Sequence, residues 1–511
     1  MSDVDGFTSA SSLYHYIKNK LNYKDISFVM HTGKQHGLSN DILNQIDVNE
    51  PCMILIPDAS TNDKLECDML KELGFEIIIL DHHLKEVENP SALIVNNQIG
   101  KYPNKNLCGV GVVYKLLQAL DEEFWIDESF NYIDLVALGN ISDVMDLREC
   151  ETRYLVDLGL KNIKNNLFKA LLEKQSFSIK DISKPTITDI SFYITPLINA
   201  LIRLGTQEEK TMMFKAFCEE YEEYDYTPRK TKNNPNPQTI KENIYNRVAR
   251  ICTNTKQKQS RLQDKAVKEV IEVFDESNKV NSICFINATK LESLTNELSG
   301  LAAIKIADKY NKPCLVLRKE SNNKDTFSGS ARNIRDGQIE NLKEVLSSSG
   351  LFKKTVGHGN AFGVSIMKEN IPIAIQYFNK KFKTEQEKCY RVDFIYDNFI
   401  SYKDIKEIHS LKDMYCSFIE EPRLLITNLE CDLIGFEYKT TEKGNGRWYF
   451  QNRETEFIKF NVNENDEMTN IDDFEYEKVY LNVIGRVTIN TYNNIVKPQF
   501  IIEDYEIINK E

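Results

Sequence analysis

The first half of the chain alternates short, nearly unbroken apolar runs with stretches whose apolar residues recur every three to four positions. PCMILIPD (51–58) and GFEIIILDHH (74–83) are each a buried-strand pattern ending in acidic or imidazole residues. CGVGVVYKLLQAL and YIDLVALGNISDV predict helices or helix–loop units between or after strands. Near the start, TSASSLYHYIKNKL predicts a helix, with Thr8 as its N-cap and Leu13, Tyr14 and Ile17 at helical spacing. Strands alternating with helices predict a parallel sheet. Ligands of such sheets bind beyond the carboxyl ends of the strands, where Asp58 and Asp81–His83 fall.

The pattern breaks at YTPRKTKNNPNPQT (226–239), a proline-bearing polar loop that leads into a long helix from about Ile240 to Phe274. NSICFINAT (281–289) and KPCLVLRKE (312–320) then predict strands of a second α/β unit closing near Lys380. From about Arg391 the chain is β-rich, with runs such as RLLITNLECDLIGFEYKTT and KVYLNVIGRVTIN split by Gly/Asn turns, and a small β-barrel is expected. The expected domains are 1–225, 226–275 (a basic loop and connector helix), 276–385 and 386–511.

Composition narrows the class. With 511 residues, 41% of them hydrophobic and 28% charged, the chain reads as a soluble protein of several domains. No apolar run approaches the roughly 18–20 residues of a membrane span, and no signal-peptide pattern opens the chain. The eleven cysteines are odd in number and form no CxxC pair, which points to free thiols in a reducing cytoplasm. A net charge of −13 argues against nonspecific coating of nucleic acid. Yet Arg229–Lys268 holds eleven basic residues against two acidic ones. That run is a solvated helix face unless a phosphate-processing site lies nearby, in which case it suits a polyanion.

The candidate chemistry centres on LDHHL (80–84), where a buried strand delivers Asp81, His82 and His83 to one sheet edge. Asp58, Asp143 in ALGNISDVMDL and the pair Asp3/Asp5 add carboxylates. Carboxylates with one or two imidazoles suit two divalent ions, with Mn²⁺ ahead of Mg²⁺ because of the imidazole. Two such ions can hold a bridging hydroxide and clamp a phosphoryl group for in-line attack.

These residues, with SDVDGFTSASSLYHYI before and ALGNISDVMDL after, resemble the DHH phosphoesterase superfamily, and the match to its RecJ branch continues over nearly the whole chain. VNNQIGKYPNKNLCGVGVVYKLLQAL is similar to that branch's proline loop and Gly-x-Gly helix start. ISFYITPLINALIRLG resembles its Pro-x-x-Asn-Ala-x-x-Arg signature at Pro196, Asn199, Ala200 and Arg203. FSGSARNIRDG (327–337) and VGHGNAFG (356–363) resemble the Gly-Ser-x-Arg and Gly-Gly-His-x-x-Ala-x-Gly motifs of the DHH-associated domain. The tail resembles an oligonucleotide-binding (OB) barrel. The fold implied is α/β: a parallel-sheet DHH domain and a DHH-associated α/β domain joined by a long helix, with a C-terminal OB-like β-barrel.

The resemblance implies a cytoplasmic, metal-dependent exonuclease acting 5′→3′ on single-stranded DNA. It would be a monomer, with a single-strand-binding protein or a helicase as partner and no membrane. Asp3, Asp5, Asp58, His82 and Asp143 match metal ligands, Asp81 would orient the imidazole pair, and His83 would contact the scissile phosphate or protonate the leaving group. Lys34 matches a phosphate-contacting arginine, and Asn199 lies in the signature that binds substrate. Arg203, Ser330 and Arg332 match a 5′-phosphate pocket, which Gly357 and His358 would close.

The sequence departs from the family where the first aspartate of Asp-x-Asp-x-Asp-Gly falls on Met1 and the preceding strand is missing, and the preferred explanation is that upstream residues of the working protein are absent here. Val356 replaces a motif glycine and Ile202 another. Two rival readings are a DHH phosphodiesterase for short RNA or cyclic dinucleotides, and a catalytically weakened RecJ-like DNA-binding scaffold. Trp448, Tyr449 and Tyr492 stack on bases or fill the barrel core, and His15, His31, His36 and His409 receive no catalytic role.

Overall fold

The computed structural model describes residues 3–32, 36–230, 232, 234–274, 276–291, 294, 296–320, 325–335, 337–383, 389–415, 419–440, 446–462, 466–471, 476–492 and 495–511. They form two compact units. One comprises residues 1–202, 206–250 and 392–511; the other comprises 203–205 and 251–391.

In the first unit, β1 (Met53–Pro57), β2 (Glu76–Asp81) and β3 (Leu93–Asn96) form a parallel sheet in the order β1-β2-β3. Pro57 pairs with Leu80 and Asp81 with Asn96, so the residues just beyond β1 and β2 emerge at the same end of the sheet. The apolar run of β2 serves two cores. Leu80 packs with Leu13, Val112, Val113 and Leu117 on one face. Ile77 and Ile79 pack with Leu38, Cys67, Leu70 and Phe75 on the other. This two-sided burial is why the strand reads as continuous apolar sequence.

The helix Val4–His15 starts at Asp3, whose side chain accepts from Gly6 N, and its residues Val4–Ser9 are buried. It packs on the helices Gly109–Phe124 and Ile133–Ser142. Thr8, expected as the N-cap, lies inside this helix with its hydroxyl donating to Val4 O at 3.1 Å. The cap falls earlier because the Asp3 carboxylate, an acceptor without a proton to place, takes the first-turn amide.

A helical segment over Ile187–Leu204 is apolar and long enough to cross a membrane by length and composition, with a mean hydropathy of 1.2, contrary to the expectation of no such run. The sequence reading missed it because the apolar residues are interrupted by Ser191, Thr195, Pro196 and Asn199. Ile190, Ile194, Leu197, Ile198 and Leu201 are buried in the domain.

Beyond it, β4 (Glu223–Tyr226) and β5 (Ile240–Asn243) bracket the predicted loop as an antiparallel pair, and the helix Ile244–Glu272 follows. Part of the basic run is consumed here. Arg250 lies 3.9 Å over the Tyr226 ring and pairs with Glu242, and Arg247 lies 4.5 Å over Tyr224.

The rest of this unit is a seven-stranded sheet in the order β11-β12-β16-β17-β15-β14-β13. Its strands are β11 (Phe394–Asp397), β12 (Leu424–Asp432), β13 (Glu437–Thr440), β14 (Gly446–Asn452), β15 (Thr455–Val462), β16 (Lys478–Tyr492) and β17 (Ile495–Lys510). It curls over a core of Trp448, Phe450, Phe457 and Phe500, and Asn452 on β14 donates to Glu430 O on β12. Among the described residues its strand order runs open from β11 to β13. Trp448 belongs to this core, fully buried with its indole N–H on Asp466, so it is not a stacking surface.

The second unit carries β6 (Cys284–Asn287), β7 (Cys314–Lys319), β8 (Thr326–Arg332), β9 (Phe352–His358) and β10 (Ala361–Met367) in the order β6-β7-β8-β10-β9. β6 and β7 are parallel and the remaining pairs antiparallel. The helix Asn296–Tyr310, with Ala266 and Val270 of the long helix, covers one face, and the helices Leu342–Ser348 and Asn370–Lys381 cover the other. Among the described residues the ten cysteines are free thiols.

Candidate metal centre and phosphate pocket

The parallel register dictates the centre of the site. Asp58 follows β1 and Asp81–His83 end β2, so the alignment of Pro57 with Leu80 brings Asp58 beside His82. Asp58 holds its place with a backbone φ of +59°, its amide bonded to Leu80 O at 2.7 Å. Val144, directly after Asp143, has φ +56°. Left-handed backbone at a non-glycine residue, and above all at a β-branched one, is strain of the kind that gathers at functional sites.

His82 Nε2 is the hub. It lies 3.3 Å from Asp58 Oδ1, 3.5 Å from Asp143 Oδ2 and 3.7 Å from Asp5 Oδ2. Donor atoms of Asp5, His82 and Asp143 lie within 4.8 Å of one another, and so do those of Asp58, His82 and His83. Donors sharing one ion at about 2.1 Å stand roughly 3–4 Å apart, so these spacings and this mix of carboxylate and imidazole fit divalent metal.

Electrostatics supports the same conclusion. Burial first, and then the charges of Asp5 and Asp3, pushes the Asp58 carboxyl well above the usual carboxylate range. Burial and then Asp5 push Asp143 up to about 7, against the pull of His82. Crowded carboxylates in a buried place repel one another, and a divalent cation would remove that repulsion.

Two of the acidic residues are positioned by helix ends. Asp3 caps its own helix, with Gly6 N at 3.0 Å from Oδ1. Asp5, 2% exposed, receives the first amides of the helix Gly109–Phe124, Gly109 N at 2.6 Å and Val110 N at 2.9 Å. The positive end of a helix dipole thus faces the carboxylate. Gly109 also allows Asp58 in, because a Cβ at that position would sit 2.6 Å from the Asp58 Cβ.

Asp81 does not face the hub. Its Oδ1 accepts from His82 N at 2.7 Å and from His83 Nδ1 at 2.7 Å, and its Oδ2 accepts from the Thr61 amide and hydroxyl at 3.1 and 2.6 Å. Burial pushes this carboxyl up, but the His83 and Thr61 hydrogen bonds outweigh it and hold the carboxyl well below the usual range. The same Asp81 bond, against burial, raises the His83 pKa.

Sequence reasoning missed two supports. Thr61 pins Asp81, and Asn96 donates to both Thr61 Oγ1 at 3.0 Å and His83 O at 2.9 Å. Neither belongs to a charged or imidazole string; only the register partnership of Asn96 with Asp81 could have found it. His36, given no role from the sequence, places its ring 4.9 Å from that of His83, edge to face.

The predicted residues of the phosphate pocket are spread over both units. Asn199 is half-buried on the helix Thr195–Leu204 of the first unit. Arg203, Ser330, Arg332, Gly357 and His358 group with the second. There, Ser330 Oγ lies 2.8 Å from Ser299 Oγ, and the Arg332 guanidinium lies against Gly300 with Nη1 on Ala331 O. Burial and then the Arg203 charge pull the Arg332 pKa down. Lys256 is likewise lowered by burial and then by Arg203 and Lys305, so it joins this cationic cluster. Sequence reading placed Lys256 only within the basic run.

Gly357 has φ +129°, a conformation that L side chains rarely adopt, and its carbonyl accepts from Lys343 Nζ. His358 pairs with Ala361 across β9 and β10, its side chain lying outside the described set, as do Lys34 and the side chain of Tyr492. Val356, in the glycine position of the motif, is 69% exposed.

Residues 1–140 match the DHH family, N-terminal domain. Over 99% of this chain and 86% of the relative, the sequence is 35% identical to a Bacillus subtilis (strain 168) protein, YorK, provisionally named an SPbeta prophage-derived single-strand DNA-specific exonuclease. It is 25% identical to the single-stranded-DNA-specific exonuclease RecJ of the same organism, over 98% of this chain and 60% of that one. The solved structure of RecJ from Thermus thermophilus in complex with Mn²⁺ superposes with a TM-score of 0.70 at 17% identity, over 99% of this chain and 68% of that one.

Proposed function

The chain belongs to the DHH family, in its branch of RecJ-like single-strand DNA exonucleases, and on that premise we propose that it is a divalent-metal-dependent nuclease that shortens single-stranded DNA from the 5′ end. The observation that carries the reading is the convergence of Asp5, Asp58 and Asp143 on His82 Nε2. Divalent ions held there, Mn²⁺ ahead of Mg²⁺ and two by the ligand set, would supply activation of water and neutralisation of phosphoryl charge.

The chain's own residues do the rest. Asp5, Asp58, His82 and Asp143 would hold the metal, and Asp3 adds its charge from the helix cap. Asp81 fixes His83 with the proton on Nδ1, leaving the other ring nitrogen to face substrate and serve the leaving oxygen. In the second unit Arg203, Ser330 and Arg332 gather cationic and hydroxyl groups suited to a terminal phosphate, which supports the 5′ polarity. Gly357, His358, Lys34 and Asn199 take the remaining substrate contacts by their place in the family motifs.

The test is a product ladder. Single-stranded DNA with a 5′-phosphate and a 3′ label is incubated with the full chain in Mn²⁺ or EDTA, beside Asp81→Ala/His82→Ala. Shortening from the 5′ end that requires Mn²⁺ and disappears in the variant is expected. Tight binding without cleavage would instead favour a scaffold.

A further inference from the structure

We propose that the exposed aromatic pair Phe192 and Tyr193 is a stacking platform for nucleobases of the strand as it passes the metal centre. This inference rests on the single-strand nuclease reading above and adds to it a base-contacting site.

Phe192 is 71% exposed and Tyr193 37%. Single exposed apolar side chains are ordinary, so exposure alone carries nothing. Three further observations single this pair out. First, both residues belong to a π-helical turn, Ile190–Ile194, set between the short helix Ile187–Asp189 and the helix Thr195–Leu204. Such turns are rare and occur disproportionately at functional sites.

Second, the turn is tied to the metal centre within the same unit. Thr195 Oγ1 lies 3.0 Å from Ser142 Oγ, and Ser142 is the residue before Asp143. Ser142 spends its own proton on Leu138 O at 2.6 Å, so Thr195 is the donor to it. Tyr193 is two residues and Phe192 three residues before Thr195, about 3–4.5 Å of helical rise.

Third, the helical segment sorts its faces. Ile190, Ile194, Leu197, Ile198 and Leu201 are buried, whereas Phe192, Tyr193, Pro196 and Asn199 are exposed or half-buried at three- to four-residue spacing. The exposed stripe therefore offers two aromatic faces and then an amide that can donate and accept. Every nucleobase has a π-face, so such a platform grips a strand regardless of sequence, as an exonuclease needs. The metal centre handles phosphate, and an aromatic pair two and three residues from Thr195, which is itself bonded to the neighbour of Asp143, is placed to hold a neighbouring base.

The test uses the full chain, 5′-phosphorylated oligonucleotides and the variants Phe192→Ala, Tyr193→Ala and Phe192→Trp. We expect either alanine variant to raise KM by about tenfold, in line with the strength of base–aromatic stacking, with kcat and Mn²⁺ affinity nearly unchanged and Phe192→Trp close to wild type. Wild type acting on oligonucleotides with single abasic positions near the 5′ end should show the same loss at one or two positions, and the alanine variants no further loss there. 2-Aminopurine at those positions should be quenched on binding to wild type in Ca²⁺ and stay bright with Phe192→Ala. Equal penalties for abasic and intact strands in wild type and variants, with unchanged quenching, would overturn the platform while leaving the nuclease intact. A wild type that neither binds nor cuts single strands would reject both readings. The abasic series on wild type keeps the test decisive even if an alanine variant folds poorly.

Discussion

Asp81 Oδ1 accepts a hydrogen bond from His83 Nδ1 at 2.7 Å, while its other oxygen is held by Thr61. An ionised carboxylate only accepts, so this bond assigns the proton to Nδ1 and turns the other nitrogen outward. Because that bond is the leading cause of the raised His83 pKa, Asp81→Asn should lower it, readable from the imidazole NMR titration. Activity in Mn²⁺ should fall about 10–100-fold, the usual cost of losing a carboxylate behind a metal-site imidazole. An unchanged titration would show that Asp81 does not control His83.

Gly109 and Asp58 share one space, since an alanine at 109 would set its Cβ 2.6 Å from the Asp58 Cβ and 2.7 Å from Oδ1. Gly109→Ala should fold, since alanine suits a helix start, but displace Asp58. Mn²⁺ affinity by calorimetry should drop by tenfold or more while circular dichroism is unchanged. Equal affinity would remove Asp58 from the metal site.

Metal binding should be proton-linked. Asp143 is pushed up to about 7, so protons compete with metal for it near neutrality, and burial and neighbouring carboxylates raise Asp58 in the same direction. Mn²⁺ affinity should therefore fall as pH drops below about 7, with proton release visible as a buffer-dependent heat. In the metal-free protein the sign is opposite for stability. A carboxyl raised in the fold contributes stability fully below its unfolded pKa, and that contribution is lost as pH rises through the folded value. Asp143→Asn should thus remove a decline in melting temperature between roughly pH 4 and 7 that wild type shows without metal. Parallel pH profiles for the two proteins would contradict the assignment.

Arg332 presents a planar fork beside Arg203 and Ser330, and lysine keeps the charge without the fork. Arg332→Lys should raise KM for a 5′-phosphorylated strand by about tenfold, the scale of a charged hydrogen bond, and have little effect on a 5′-hydroxyl strand. Equal losses on both ends would place the terminal phosphate elsewhere.

Much of this site was legible because parallel strands hand their register on to the residues just past their ends. Two apolar runs ending in Asp58 and in Asp81–His83 must deliver those residues to one sheet end, and they do. The positions of Asp5 and Asp143 followed from motif likeness, and their geometry comes from a helix N-terminus and a strained turn that no periodicity encodes. Thr61 and Asn96 were illegible for a physical reason: uncharged polar residues at strand ends and in loops show their purpose only through their partners. Arg247 and Arg250 looked like part of a polyanion surface but are committed to Tyr224, Tyr226 and Glu242 of a hairpin whose strands carry no apolar alternation. Trp448 could equally have been surface or core by sequence, and its indole partner Asp466, eighteen residues away, decided for the core.

The most direct test is anomalous diffraction at the manganese edge from crystals of the full chain soaked in Mn²⁺. A peak within bonding distance of His82 Nε2 and of carboxylate oxygens from Asp5, Asp58 and Asp143, lost in Asp58→Ala, is the expected result. Manganese bound only elsewhere, or no peak among these four residues at saturating ion, would contradict the metal centre and the nuclease built upon it.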